Sequence, residues 1–168
     1  VTTDGPETKP LGSGGYLVTV DRNTPQNWHF QLAHESVHCV LGAEHFHWSH
    51  EMLATVFSID YLNQSGDLRE EGNRCRRFLI EQAAGQSINE ALSYKGIDSR
   101  ILSKPAYGRL YLLGSELRNA FGWDALLQLA AGGPGGAPQD VVEWVESLGS
   151  REALLPTGFK DAAYAAAS

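Results

Sequence analysis

The chain has 168 residues, 42% hydrophobic and 20% charged, with a formal net charge of −7. That length and balance belong to a globule with a core of its own and exclude a disordered chain. The acidic excess argues against a nucleic-acid partner, whose phosphates it would repel, and no apolar run reaches the roughly 18–20 residues of a membrane-spanning helix.

Residues 1–15 hold Gly5, Pro6, Pro10, Gly12, Gly14 and Gly15 among polar side chains, which predicts a mobile lead-in. The start lacks the apolar core of a secretory signal, and it opens on Val1 as a mature or trimmed form would. The expected setting is soluble and cytoplasmic rather than secreted, although Cys39 and Cys75 leave the redox compartment and their own pairing open. Residues 16–20, YLVTV, are apolar and β-branched and predict a strand. Thr24 as N-cap, Pro25 at the first helical position and Gly42 as C-cap then predict a helix of about 17 residues. Phe30, Ala33, Val37, Val40 and Leu41 form its apolar stripe, and Asn27, Gln31, His34, Glu35 and His38 the opposite, polar one, so the core is expected behind the helix and a cleft before it.

A second helix, over about 49–62, is apolar nearly all round and is expected to be buried on most sides. Asp67 caps a third, in which Leu68, Cys75, Leu79 and Ala83 recur at helical spacing up to Gly85. Arg69, Arg74, Arg76 and Arg77 mix there with Glu70, Glu71 and Glu81, which reads as a solvated face of ion pairs or as a site for a substrate carboxylate. Ser87 to Glu90 form a capping box opening a short helix to Gly96. Pro105 opens a longer helix ending at Phe121 and Gly122, with Leu110, Leu113, Leu117 and Phe121 inside. Residues 124–131 predict another helix, 132–138 a loop, 140–148 an amphipathic helix, and 157–168 an Ala-rich tail.

Chemistry concentrates at His34-Glu35-Ser36-Val37-His38. On a helix, side chains four apart share one face at about 5–6 Å between Cβ atoms, so the two imidazoles converge on one metal ion. Glu35 lies at the edge of that face, where its carboxylate reaches a water on the metal without occupying a ligand position, the HExxH arrangement of zinc peptidases. Catalytic zinc takes three protein ligands and keeps a position for water. Glu51 opens the apolar second helix, where a carboxylate without a partner would be costly. His45 is the rival, but Gly42 and His45 each fall one residue late for HExxHxxGxxH, and one residue is about 100° of helix. His45, His47 and His50 are therefore read as supporting, loop or surface histidines. Cys39, next to His38 on the helix, points away from that face and reads as a small core residue.

The segment WSHEMLAT resembles the W-x-x-E-G-x-A stretch of gluzincins, the thermolysin and aminopeptidase N group of zinc peptidases, in which a glutamate from the helix after HExxH completes the metal site. Trp48 and Ala54 match, Met52 stands where glycine is usual, and the linker between the helices is shorter. A second stretch, AYGRLYLLGSELRNAFGWDALLQL, is similar to the segment that carries the catalytic tyrosine of aminopeptidase N-like members. It brings that tyrosine onto Tyr107, with Tyr111 one turn on as the alternative and Leu110 in the place of a glycine. No G-x-M-E-N motif for a free amino terminus precedes HESVH.

The resemblance implies a mainly α (α+β), zincin-like domain over 1–168, with one or two N-terminal strands followed by a helical bundle. It implies one Zn2+ per chain on His34, His38 and Glu51, Glu35 as general base, Tyr107 as donor to the developing oxyanion, and a peptide or protein substrate; strand 16–20 would edge the cleft. Two alternatives stay open: a retired zincin-like domain whose zinc is structural, serving as a binding or regulatory module, and a metal-free helical adaptor. The oligomeric state is not set by these features.

Overall fold

A computed structural model of the chain describes residues 2–3, 5–42, 48–83, 104–131 and 161. These are mostly helical, and the strands all precede the first helix. β1 (Thr2–Thr3), β2 (Glu7–Pro10) and β3 (Tyr16–Asp21) form one sheet in the order β1-β3-β2. β2 is antiparallel to β3, with Thr8 opposite Val18 and Pro10 opposite Tyr16, while β1 runs parallel to β3.

The lead-in expected over 1–15 is thus corrected, because residues 7–10 are one arm of a hairpin. The glycines that pointed to mobility are the turn chemistry of that hairpin. Leu11 N donates to Gly15 O at 2.8 Å and Gly14 N to Leu11 O at 3.1 Å. Gly14 takes φ 80°, the left-handed conformation such short hairpin loops require and glycine adopts without steric cost.

A polar knot ties the end of β3 to the first helix. Asp21 N donates to Gln31 Oε1 at 2.6 Å, Gln31 Nε2 to Thr24 Oγ1 at 2.7 Å, and Trp28 Nε1 to Asp21 O at 2.7 Å. Thr24, expected to cap the helix, donates its hydroxyl to the Asp21 carboxylate instead. Without that cap the first turn, Pro25–Asn27, is a 3-10 turn, and α1 proper is Trp28–Leu41. Gly42 ends it at φ 90°.

The buried residues of α1 are Gln31, Ala33, His34 and Glu35, whereas Val40 is 85% exposed. The expected orientation, apolar stripe inward and polar stripe outward, is therefore largely reversed. The cause is the sheet: β2 and β3 pack on α1 and bring partners for its polar side chains, Thr8 for Glu35 and Asp21 for Gln31. Burial with a hydrogen bond avoids the penalty that burial without one would carry.

α2 (Trp48–Gln64) is buried as its composition predicts, with Trp48, Met52, Ala54, Val56 and Leu62 inaccessible. A 3-10 turn (Gly66–Leu68), α3 (Arg69–Gln82), α4 (Lys104–Phe121) and α5 (Trp123–Ala131) follow. The helices expected over 87–96 and 140–148, the loop over 132–138 and the tail, Asp161 excepted, lie outside the described residues.

The chain divides into two compact units, Val1–His45 with Ala54–Phe78, and Phe46–Leu53 with Leu79–Ser168. In the first, Glu71 of α3 caps α1. Its carboxylate accepts from Phe30 N at 2.9 Å and lies 2.8 Å from His29 Nδ1, at a helix end whose N–H groups have no partner within the helix and whose dipole favours a negative charge. Arg74 donates to Gln26 O and to Asn27 Oδ1. Part of the arginine cluster is thus committed to holding the start of α1. In the second unit Leu110, Leu113, Leu117 and Leu126 are core residues, and the Arg118 guanidinium lies 5.8 Å from the centre of the Trp123 ring.

Candidate metal centre

α1 places His34 and His38 one turn apart, with ring centroids 5.0 Å from each other and ring planes at 65°. The Phe30 ring, one turn earlier, lies 6.0 Å from the His34 ring and continues the same face. His34 and Glu35 are buried and His38 is half-buried. One donor atom from each of His34, Glu35 and His38 lies within 4.8 Å of the other two. Among the described residues this is the one group of three or more such side chains.

The donor set suits zinc. Imidazole nitrogen and carboxylate oxygen are both zinc ligands, and two nitrogens on one tetrahedral ion stand about 3.3 Å apart.

Glu35 has a partner that its local sequence does not announce. Thr8 Oγ1, on β2, lies 2.7 Å from Glu35 Oε2 and 3.0 Å from the Glu35 carbonyl oxygen. The two residues are 27 positions apart, and the only signal in the sequence was a short polar run between two prolines.

The other expected site residues fall in the second unit. Glu51 is buried in the first turn of α2. Tyr107 is half-buried near the start of α4, and Tyr111 is buried one turn on. His50 Nε2 lies 3.1 Å from Ala130 O; a carbonyl only accepts, so in this bond the ring nitrogen is the donor. His45 and His47 lie outside the described residues. Cys39 and Cys75 are free thiols.

No family model matches the chain, and neither a curated protein nor a solved structure matches it. Among the described residues no helix is long and apolar enough to cross a membrane.

Proposed function

We propose that the chain is a zinc-dependent peptidase of zincin-like fold that hydrolyses peptide bonds in a peptide or protein substrate. The observation that carries this reading is the convergence of the His34, Glu35 and His38 donors within 4.8 Å on one face of α1. A zinc ion held there supplies a Lewis acid for a carbonyl oxygen and brings the pKa of water towards neutrality.

His34 and His38 hold the ion through ring nitrogens, and the gluzincin resemblance assigns the third ligand to Glu51. A carboxylate oxygen is chemically suited to that role, being an ordinary zinc ligand. Glu35 acts as general base: as water attacks the carbonyl carbon, the carboxylate takes its proton, and it then passes that proton to the leaving amine. Tyr107, again by the resemblance, donates to the oxygen on which negative charge grows, a task for which a neutral phenol is suited.

The test is zinc content together with digestion of a peptide library. Wild type is expected to carry about one zinc per chain, and His34→Ala, His38→Ala and Glu51→Ala each to lose it. Glu35→Gln should keep zinc and fold but lose hydrolysis, and Tyr107→Phe should keep zinc while kcat falls about 10²–10³-fold. Zinc retained after His34→Ala and His38→Ala would remove the metal site. A zinc-loaded wild type that cleaves nothing across diverse peptides would leave the ion as a structural clamp and end the enzyme reading.

A further inference from the structure

We propose that Thr8 is the positioning residue for Glu35, holding one carboxylate oxygen so that the other performs the proton transfers. The proposal deepens the peptidase reading and rests on it. A glutamate side chain has three rotatable torsions; a helix restricts the first, but on an isolated turn the carboxylate end is left free to take several orientations. Here the Thr8 hydroxyl stands 2.7 Å from Oε2, a length typical of an O–H···O bond and at the upper edge of the range for one accepted by a charged oxygen.

The position of Thr8 is itself fixed. Residue 8 pairs with Val18 in the β2–β3 ladder, and Glu7 O accepts a hydrogen bond from Thr19 Oγ1 at 3.2 Å. β3 in turn is tied to α1 through Asp21, Gln31 and Trp28. The donor and the carboxylate are therefore held by the same sheet and helix within the first unit.

The hydroxyl has one proton and two acceptors within reach, Oε2 at 2.7 Å and the Glu35 carbonyl at 3.0 Å. A charged acceptor makes the stronger bond, so while Glu35 is a carboxylate the Thr8 hydroxyl donates to Oε2. That leaves Oε1 as the oxygen that takes the water proton, breaking a water O–H bond and forming Glu35 O–H. When Glu35 gives this proton to the amine, the O–H bond breaks, an N–H bond forms, and Oε1 is again the basic oxygen. Throughout the cycle Thr8 exchanges no proton, since its role is to limit rotation of the carboxylate. The second acceptor keeps the hydroxyl proton bonded at moments when Oε2 is the weaker partner.

A purely structural link between β2 and α1 would have the same bond with a different consequence: loss of Thr8 would loosen the fold and leave turnover per folded, zinc-loaded molecule unchanged. The experiment therefore compares Thr8→Val, which keeps the shape and removes the hydroxyl, with Thr8→Ser, which keeps the hydroxyl. The probe is the quenched-fluorescent library peptide that wild type cleaves fastest, with rates normalised to bound zinc and folded fraction.

Thr8→Val should lower kcat by about 10–100-fold, the loss expected for one hydrogen bond to a charged group, with KM and zinc content close to wild type. Thr8→Ser should recover most of that loss. A Thr8→Val enzyme within about twofold of wild type in kcat, with wild type active, overturns the proposal and leaves the peptidase reading in place. Equal losses in Thr8→Val and Thr8→Ser also overturn it, because the hydroxyl would then not be the operative group. An inactive wild type overturns the peptidase reading first and this assignment with it.

Discussion

Burial lifts the Cys75 thiol from its ordinary 9.0 to about 11, with the Glu71 carboxylate adding to the effect and the Arg74 guanidinium opposing it. Its Sγ lies 3.7 Å from Asn27 Oδ1, so the protonated thiol also serves as a weak donor. The folded pKa is above the unfolded one; the associated stabilisation is complete below pH 9 and is lost as the pH rises towards 11. The urea midpoint of wild type should therefore fall across that window by more than that of Cys75→Ala, and parallel curves would contradict the shift. Alkylation at pH 8 should label half-buried Cys39 well before Cys75, because the thiolate is the nucleophile. At this scale the HExxH pattern was legible because the i, i+4 geometry of a helix is local. Thr8 was not, since nothing in a five-residue window says which strand will lie over Glu35.

Close approach of helices is set by glycines that helix propensity alone would disfavour. A Cβ added at Gly108 of α4 would lie 2.7 Å from Ala83 N and would also press on Leu79 O, both backbone atoms. Alanine is about 1 kcal/mol better than glycine inside a helix, but overpacking against backbone costs about 1–3 kcal/mol. Gly108→Ala should therefore destabilise the second unit, by up to roughly 2 kcal/mol net in a denaturation curve. At Gly72 of α3 the nearest atom is Asn63 Oδ1 at 2.7 Å, on a side chain that can swing away, with Leu62 Cβ at 3.0 Å. Gly72→Ala should cost less than Gly108→Ala, and the reverse order in measured stability would refute the distinction. The helices themselves were readable from apolar spacing and from Gly42 and Gly122 at their ends. The lead-in differs from its expectation because the proline and glycine content of a hairpin resembles that of a mobile segment, and a strand of Glu7–Pro10 is too short for period-two patterning to stand out.

For the molecule as a whole, zinc that binds only the folded chain stabilises it by mass action, about 4 kcal/mol at a thousandfold excess over Kd. With roughly 2–4 °C per kcal/mol for a chain of this size, stripping zinc with a chelator should lower the melting temperature by about 10 °C. His34→Ala should melt at the same temperature with or without chelator. A zinc-loaded wild type indifferent to chelator would remove the ion from the stability of the fold.

The sequence by itself determined the helices found among the described residues, the buried character of α2, and the face that carries His34, Glu35 and His38, because apolar periodicity and i, i+4 spacing act over a few residues of chain. Only the tertiary structure decided which face of α1 turns inward. Its polar stripe could be buried because β2 and β3, up to 27 residues away in sequence, supply Thr8 and Asp21 as hydrogen-bond partners, and without such partners the same side chains would have had to remain in water.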